Sequence, residues 1–542
     1  MSARPNVLIL FTDQQRYDTI NAAGYPHMIT PNLDNLAAEG CLYRNAHSTN
    51  PVCIPARHDL LTGLPGRAHG YFKNVRQPIK DYGLPTLPRI FSENGYRTAA
   101  IGKMHFIPVR MHHGFSEMYL MEEIPRRRQD DQYACFLKEQ GLGHIQNIHG
   151  VRPAIYSLPQ NSQMDEAHHG STWVANRTIE WLKTNGNRPF FVMSSWIHPH
   201  PPWDLPQEYH GLYRGRDLPE PAPVSRSYPF AREKSEWYGD FDTEAEKRAI
   251  REAYFSAVTM VDKNIGRVLD HLRETGQLDN TLVIFTSDHG EMLQDKGFYS
   301  KPLPYDGTAR VPLIVRYPME FGGGTISEEF ADLFDVLPTC LDICGLDYPG
   351  DGAILPGESL RAPGRGRDRE HQISASGIDA DRWIMSRNRR YKYIYWYNQG
   401  TEELYDMRED PREFVNLIES GGFPQAVYEE LRRKAMAFEK KWGPEGMIHD
   451  DDFIVLDGKI KPLDSHAKRT FWQNRQLQYF DERIGEERAA EFIKEIYHAM
   501  ENEGCMGKSL EEILNDPDLK EDFLENLRKF GLSPEMEEML FK

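Results

Sequence analysis

Short apolar runs recur along the first 345 residues, and each alternates with a segment of helical periodicity. A parallel strand that is covered on both faces is typically a continuous apolar run rather than an alternating one. The alternation predicts an α/β fold with a mostly parallel central sheet flanked by helices. The strand-sized runs are Val7 to Phe11, Thr98 to Ile101, Phe190 to Ser194, Leu282 to Phe285 and Val311 to Val315.

Two helices are indicated between these runs. The first is predicted between Thr30, a cap residue, and Gly40, a glycine stop, with Pro31 in its first turn. A longer apolar stripe with spacings of three and four residues predicts a second helix that ends at Gly276. The stripe consists of Ile250, Tyr254, Ala257, Val258, Val261, Ile265, Val268 and Leu272.

The composition changes after residue 345, where the large α/β domain (1–345) is predicted to end. Residues 346–369 are rich in Pro, Gly and Arg, which indicates a linker. Aromatic and β-branched residues cluster between turn signals in 370–442, which predicts a small antiparallel sheet in an α+β subdomain. Residues 443–542 carry a Glu- and Lys-rich helical pattern and are predicted to form a helical tail: an oligomerisation arm, a lid or a solvated appendage.

Composition narrows the class of protein. Hydrophobic residues make up 39% and charged residues 27% of 542, as in folded globular proteins. The formal net charge of −18 argues against nucleic acid and anionic membranes as partners, and we find no apolar run of transmembrane length. The first residues lack a signal-peptide pattern, and six cysteines are too few for a disulfide framework. We therefore expect a cytoplasmic protein.

Polar side chains follow four of the strand-like runs directly. The carboxyl ends of parallel strands meet at one edge of a sheet, where ligands bind in such folds. These side chains are therefore predicted to share one pocket. They are Asp13, Lys103 with His105, His198 with His200, and Asp288 with His289.

Asp13, Asp288 and His289 together make a candidate site for a divalent metal ion, with Gln14 as a further carbonyl ligand. Hard oxygens and one imidazole suit such an ion. An Asp after a strand is more often a cap or turn residue, so the hypothesis depends on Asp13 lying beside the Asp288–His289 pair.

Cys53 precedes a predicted helix start, with Pro55 in the first turn. Free backbone N–H groups at such a start favour an anion, and Arg57 would add a cation at the same end. A single cysteine is more often a small buried hydrophobe, so both interpretations stay open on the residues alone.

The segment CIPAR, from Cys53 to Arg57, resembles the CxPxR signature of the type I sulfatases of the alkaline phosphatase superfamily, in which the cysteine is converted to formylglycine. The resemblance runs in family order from Phe11 to Glu413. The other matching motifs are FTDQQR, GKMHF, HPHPPWDLP, TSDHGEM, SKPLPYDGTARVPLIV and EELYDMREDPRE.

This resemblance implies an alkaline-phosphatase-like α/β domain with a smaller C-terminal sheet domain. It also implies one divalent metal ion, with Ca²⁺ expected ahead of Mg²⁺ or Mn²⁺. The implied metal ligands are Asp13, Asp288, His289 and the hydrated side chain at position 53. Gln14 stands where many relatives have a second Asp.

The remaining implied roles fall to five residues. Arg57 would orient the formylglycine, Lys103 and Lys301 would hold sulfate oxygens, and His105 and His200 would transfer protons. His200, rather than His198, aligns with the catalytic position. The implied activity is hydrolysis of a small sulfated saccharide or aryl sulfate. The implied partner is a formylglycine-generating or anaerobic sulfatase-maturating enzyme, and homo-oligomers are also expected.

Two other functions remain as alternatives. A phosphonate monoester or phosphodiester hydrolase of the same superfamily shares the modified cysteine and the metal site. Lys103 and His105 in GKMHF stand where those hydrolases tend to have Tyr and Thr, which favours sulfate esters. A non-catalytic binding protein with this fold would lack some of the catalytic residues, yet every expected position carries a suitable residue.

Four aromatic residues flank the motif positions. They either stack on a substrate ring or pack in the core, and they are Trp196, Trp203, Tyr299 and Tyr305.

Overall fold

The structure is a computed structural model that describes residues 4–75, 83–125, 128–145, 147–150, 159–223, 244–350, 355–361 and 369–458, with isolated positions between 514 and 538. Part of the predicted linker and most of the predicted helical tail lie outside these residues. The domain boundaries and the tail therefore stay predictions.

The described strands are numbered in chain order. They are β1 (Asn6–Asp13), β2 (Cys41–His47), β3 (Arg97–Gly102), β4 (Glu117–Leu120), β5 (Pro159–Asn161), β6 (Phe190–Pro199), β7 (Trp203–Leu205), β8 (Thr281–Ser287), β9 (Leu313–Arg316), β10 (Thr325–Asp332), β11 (Gln372–Ser376), β12 (Trp383–Arg387), β13 (Tyr391–Trp396), β14 (Thr401–Asp406), β15 (Ile448–His449) and β16 (Asp452–Phe453).

The described helices are numbered in the same way. They are α1 (Pro31–Glu39), α2 (Cys53–Thr62), α3 (Gly66–His69), α4 (Leu87–Glu93), α5 (Gln132–Glu139), α6 (Gly170–Asn185), α7 (Glu244–Glu274), α8 (Asp306–Ala309), α9 (Val336–Cys344), α10 (Leu417–Ser420) and α11 (Gln425–Trp442).

The central sheet has the strand order β10-β2-β9-β8-β1-β6-β3-β4 within the described residues. All its pairings are parallel except those of β9, which runs antiparallel to β8 and β2. The predicted mostly parallel sheet is confirmed. Every residue of β1, β6 and β8 is buried, which explains why these strands are continuous apolar runs.

Helices cover both faces of this sheet. Val7, Ile9 and Phe11 of β1 pack in a core with residues of α2, α4 and α9. Leu8 and Leu10, which alternate with them, pack in a second core with residues of α1, α6 and α7. The alternation follows from the two-residue period of a strand.

Both predicted helices are present, as α1 and α7. The cap of α1 differs from the prediction. The Thr30 hydroxyl accepts the N–H of Asn21 instead of capping α1. Asp262 of α7 accepts the backbone N–H groups of Asn32 and Leu33, so a neighbouring helix supplies the cap.

The predicted small antiparallel sheet is formed by β11, β12, β13 and β14 in that order. Its edge strand β11 contacts the loop that leads into α2. The Ala375 N–H donates to the Thr49 carbonyl at 3.1 Å, and the Ser374 hydroxyl donates to the Ser48 carbonyl. On the other side, α11 packs Leu431 and Ala435 against the sheet.

The described residues contain no disulfide bond and no helix suited to cross a membrane. The cysteines at 41, 53, 135, 340 and 344 are all free. No described helix combines the length and the apolar character that a bilayer span requires. The cellular compartment stays a prediction.

Candidate active site

Strand register brings the predicted polar residues to one edge of the sheet. Thr12 of β1 pairs with Ser287 of β8, and Asp13 pairs with Pro199 of β6. Gly102 of β3 pairs with Ser195 of β6. The residues that follow these positions are therefore neighbours, as the sequence predicted.

Asp13, Cys53, Asp288 and His289 form a buried cluster whose ligand atoms all lie within 4.8 Å of one another. His289 Nε2 lies 3.3 Å from Cys53 Sγ, 3.8 Å from Asp13 Oδ1 and 3.7 Å from Asp288 Oδ1. Ligands about 2.0–2.6 Å from a single ion have separations of this size. The donor set and spacing therefore fit one divalent ion.

Arg57 forms an ion pair with one oxygen of each of the two carboxylates in this cluster. Its Nη2 contacts Asp13 Oδ2, and its Nε contacts Asp288 Oδ2, both at 3.0 Å. The other oxygen of each carboxylate is thereby turned toward His289 and the cluster. Arg57 Nη1 donates to the Lys103 carbonyl at 2.7 Å and to the Ser195 hydroxyl at 3.0 Å, so its guanidinium links residues from β1, β3, β6 and β8 or directly after them.

The charges of the cluster favour a bound cation. Burial would raise the pKa of Asp13, but Lys103, His200 and Lys301 hold it well below its ordinary value. Burial and the neighbouring Asp13 raise the pKa of Asp288. The second negative charge is therefore costly beside the first, and a divalent ion would offset it.

Cys53 is the first residue of α2 and is 1% exposed. Burial and Asp13 would raise the pKa of its thiol, but Lys301, Lys103 and His289 hold it well below its ordinary value. The sulfur lies 3.3 Å from His289 Nε2 and 3.0 Å from Lys301 Nζ. This position is at the centre of the cluster and is suited to an anion.

Gln14 lies beside the cluster with a fixed orientation. Its side-chain NH₂ donates to Glu291, and its carbonyl oxygen accepts from Lys301 Nζ at 2.7 Å. Its own N–H donates to Asp288 Oδ1 at 3.0 Å, in a backbone conformation with φ of 67°. The carbonyl oxygen, rather than the amide nitrogen, therefore faces the side where Lys301 meets Cys53.

Two lysines contact the cluster from the substrate side. Lys301 Nζ lies 3.0 Å from Cys53 Sγ. Lys103 Nζ lies between Asp13 Oδ2 at 2.7 Å and Glu123 Oε2 at 2.6 Å. Both ammonium groups are therefore near the position where an anion would be attacked.

The three predicted histidines occupy different positions. His200 Nδ1 lies 2.6 Å from the Pro201 carbonyl, to which it donates, and 3.7 Å from Glu123 Oε1. Burial lowers the pKa of His200 well below its ordinary value. His198 faces Asp204 and Ser171 instead, at 3.5 Å and 3.3 Å.

His105 does not contact the cluster directly. Its backbone N–H donates to Glu122, at 3.0 Å and 3.1 Å from the two carboxylate oxygens. Its Nδ1 is buried without a hydrogen-bond partner among the described residues. The structure therefore brings together every predicted catalytic side chain except that of His105.

The four flanking aromatic residues, Trp196, Trp203, Tyr299 and Tyr305, are buried in the core and at most 8% exposed. Trp196 packs in the core that contains α6, and the other three pack in a third core beside α7. Core packing accounts for their positions.

Sequence reasoning missed three carboxylates of the site. Glu122 and Glu123 follow β4, whose last residue Leu120 pairs with Gly102. Glu291, two residues beyond His289, binds Gln14. The signal was the same as at the other strands, a polar residue after an apolar run, but the run before Glu122 is short and was not recognised as a strand.

The fold and this site define a metal-dependent hydrolase of the alkaline phosphatase superfamily. The sulfatase family model matches residues 5–346, and the model for the C-terminal part of N-sulphoglucosamine sulphohydrolase matches residues 294–441. Because the first match covers more than half of the chain, the protein belongs to the sulfatase family. It is a sulfuric ester hydrolase.

Known relatives agree with this family. The chain is 31% identical over 476 residues to an arylsulfatase of Clostridium perfringens, covering 82% of this chain and 96% of that protein. It is 28% identical over 452 residues to a choline-sulfatase of Rhizobium meliloti, covering 80% and 86% respectively. A phosphonate monoester hydrolase of Agrobacterium radiobacter is structurally similar, with a TM-score of 0.69, 25% identity and coverage of 81% and 96%.

Proposed function

We propose that the chain hydrolyses small sulfate monoesters with a formylglycine made from Cys53 and one divalent ion, Ca²⁺ ahead of Mg²⁺ or Mn²⁺. One observation carries the proposal: Cys53 lies in one buried cluster with Asp13, Asp288 and His289, and Lys301 is within 3.0 Å of its sulfur. The nucleophile, the metal ligands and a fixed cation therefore share one position.

The bound ion and the formylglycine hydrate would supply a hydroxyl nucleophile with a lowered pKa, and would bind a sulfate oxygen. Arg57 keeps the Asp13 and Asp288 carboxylates oriented for the ion. Lys103 and Lys301 are positioned to hold the sulfate oxygens, whose negative charge must stay bound during attack at sulfur.

His200 is the candidate acid for the departing alkoxide. Its Nδ1 proton is committed to the Pro201 carbonyl, so a proton for the substrate would come from Nε2. Its lowered pKa favours the neutral ring in the free protein. An arriving anionic ester would stabilise the protonated ring and so allow it to deliver a proton.

The proposed substrates are sulfated saccharides or aryl sulfates. The arylsulfatase relative supports the aryl class. A formylglycine-generating or anaerobic sulfatase-maturating enzyme would be the partner that modifies Cys53. Calcium is expected from the family resemblance alone, because the donor set suits several divalent ions.

Phosphonate monoester hydrolysis is the second candidate. The structural likeness to the Agrobacterium radiobacter enzyme favours it. Lys103 and His105 favour sulfate esters, since they stand where phosphonate monoester hydrolases tend to have Tyr and Thr. Kinetics on 4-nitrophenyl sulfate and 4-nitrophenyl phenylphosphonate would decide between them, and faster phosphonate turnover would reverse the order.

Replacing Cys53 tests the proposal. Cys53→Ala is expected to reduce kcat on 4-nitrophenyl sulfate by at least about a thousandfold, because the nucleophile is lost. Cys135→Ala, a free cysteine that belongs to α5, is the matched control and should keep wild-type activity. Mass spectrometry of the peptide containing residue 53 should show formylglycine, and full turnover by an unmodified cysteine would refute the proposal.

A further inference from the structure

Glu123 places a carboxylate on the side of the site where the sulfate-binding lysines lie. Its Oε2 is 2.6 Å from Lys103 Nζ, and its Oε1 is 3.7 Å from His200 Nδ1. The Lys103 side chain is fully buried, whereas 13% of the Glu123 side chain is exposed. A negative charge in a pocket for an anionic substrate requires a reason.

Support of the loop is not that reason, because Glu122 already supplies it. The Glu122 carboxylate accepts the backbone N–H groups of Met104 and His105 at 3.0 Å. The Glu122 N–H in turn donates to Asp131 at 2.7 Å. The segment that carries Lys103 is thus anchored by Glu122, and Glu123 is directed to the lysine and His200.

Glu123 changes the charge around the Lys103 ammonium group. Lys103 Nζ already contacts the Asp13 carboxylate at 2.7 Å, and Arg57 shares that carboxylate at 3.0 Å. Glu123 adds a second carboxylate to the same ammonium group. In a buried site one unit of charge a few ångströms away is worth on the order of kilocalories per mole, so it discriminates between ligands of different charge.

Sulfate and phosphate monoesters are both tetrahedral and nearly equal in size, but at mildly alkaline pH the first carries one negative charge and the second carries two. The Glu123 carboxylate repels a dianion more strongly than a monoanion. We propose that Glu123 sets the charge selectivity of the site, so that monoanionic esters are accepted and dianionic phosphate monoesters are disfavoured. The inference rests on the proposed sulfatase function.

The experiment compares three 4-nitrophenyl esters at pH 8 with the mature enzyme: the sulfate and the phenylphosphonate, both monoanions, and the phosphate, a dianion. Glu123→Gln should raise the phosphate-to-sulfate ratio of kcat/KM by about tenfold. It should leave the phosphonate-to-sulfate ratio unchanged, because those charges are equal. Glu117→Gln is the matched control, since Glu117 lies at the start of the same strand and pairs with Arg97 at 2.6 Å.

An unchanged phosphate-to-sulfate ratio in Glu123→Gln would overturn the inference. An equal rise for phosphate and phosphonate would also overturn it, because that result indicates a change of shape. Glu123→Asp keeps the charge and should keep the wild-type ratios.

Binding of inorganic phosphate gives a readout without turnover. Calorimetric titration at pH 8 should show about tenfold tighter binding to Glu123→Gln than to wild type, with circular dichroism to verify the fold. Equal or weaker binding would overturn the inference. If wild type fails to hydrolyse the sulfate ester, the proposed function is wrong, and phosphate binding still decides the role of Glu123.

Discussion

Lys301 Nζ lies 3.0 Å from Cys53 Sγ and 2.7 Å from the side-chain oxygen of Gln14. Burial would lower the pKa of Lys301, but Cys53 and Asp13 raise it above its ordinary value. The ammonium group therefore stays charged beside the Cys53 sulfur. It is in place before substrate arrives, so no reorganisation is needed at the moment of reaction.

Lys301→Met removes this charge while keeping most of the side-chain length. We expect kcat/KM for 4-nitrophenyl sulfate to fall about a hundredfold or more, because a fixed cation at the reacting group is lost. Lys263→Met is the control, since Lys263 is 56% exposed and pairs with Glu166 at the surface. Equal activity of both variants would contradict a direct role for Lys301.

Glu291→Gln tests how Gln14 is oriented. With an amide at position 291, the Gln14 side chain can present either its oxygen or its nitrogen to the metal cluster. We expect Ca²⁺ affinity, measured by calorimetry, to fall about tenfold, as for other groups that orient metal ligands. In a Gln14→Ala background the same change should have little further effect. Additive losses would instead indicate a long-range charge effect.

Asp131→Asn tests a buried titrating group. Burial raises the pKa of Asp131 to about 7, although its carboxylate accepts the N–H groups of Ala134 and Glu122. A native pKa above the unfolded value of about 3.9 means that the native state binds the proton more tightly. This stabilisation is complete below about pH 4 and is lost as pH rises to about 7.

The measurement is the difference in Tm between wild type and Asp131→Asn across that range. Wild type should lose its relative stability steadily between about pH 4 and pH 7, and the difference should be constant at higher pH. Asparagine does not titrate, so a difference that is independent of pH would show that Asp131 is not the responsible group.

Gly102→Ala tests the packing beneath Lys103. Gly102 has φ of 94°, and a Cβ there would lie 1.9 Å from the Ser195 carbonyl oxygen. Because the added Cβ would clash with a backbone oxygen, we expect the free energy of unfolding to fall by at least ~3 kcal/mol, seen as a lowered Tm. Gly24→Ala separates clash from strain, since Gly24 has φ of 104° but nothing within 4 Å of its Cβ. Equal effects would contradict the clash.

The strands that could be predicted are those buried on both faces. β1, β6 and β8 each contain a continuous apolar run because helices cover both sides of the sheet. The edge strand β10 and its neighbour β2 include exposed positions, so their patterns mix polar with apolar residues. The antiparallel direction of β9 could not be predicted, because direction depends on the path of the chain and not on the local pattern.

The site was predictable where polar residues follow long apolar runs, as at Asp13 and Asp288. Glu123 and Glu291 were missed because their roles depend on contacts with Lys103 and Gln14, which are distant in sequence. The position of the His105 side chain could not be predicted either, since it depends on a backbone conformation with φ of 58°. Motif spacing identifies residue types, whereas such contacts need three-dimensional coordinates.

The loop that leads into α2 is held by both parts of the molecule. The carbonyls of Ser48 and Thr49 accept hydrogen bonds from Ser374 and Ala375 of β11, and the Thr49 hydroxyl donates to Asp59 of α2 at 2.5 Å. A fragment ending at residue 346 would retain Asp13, Cys53, Asp288 and His289 but expose this loop. We therefore expect full activity only from the intact chain. A fragment truncated between α9 and β11 should bind a metal ion weakly and hydrolyse substrate slowly.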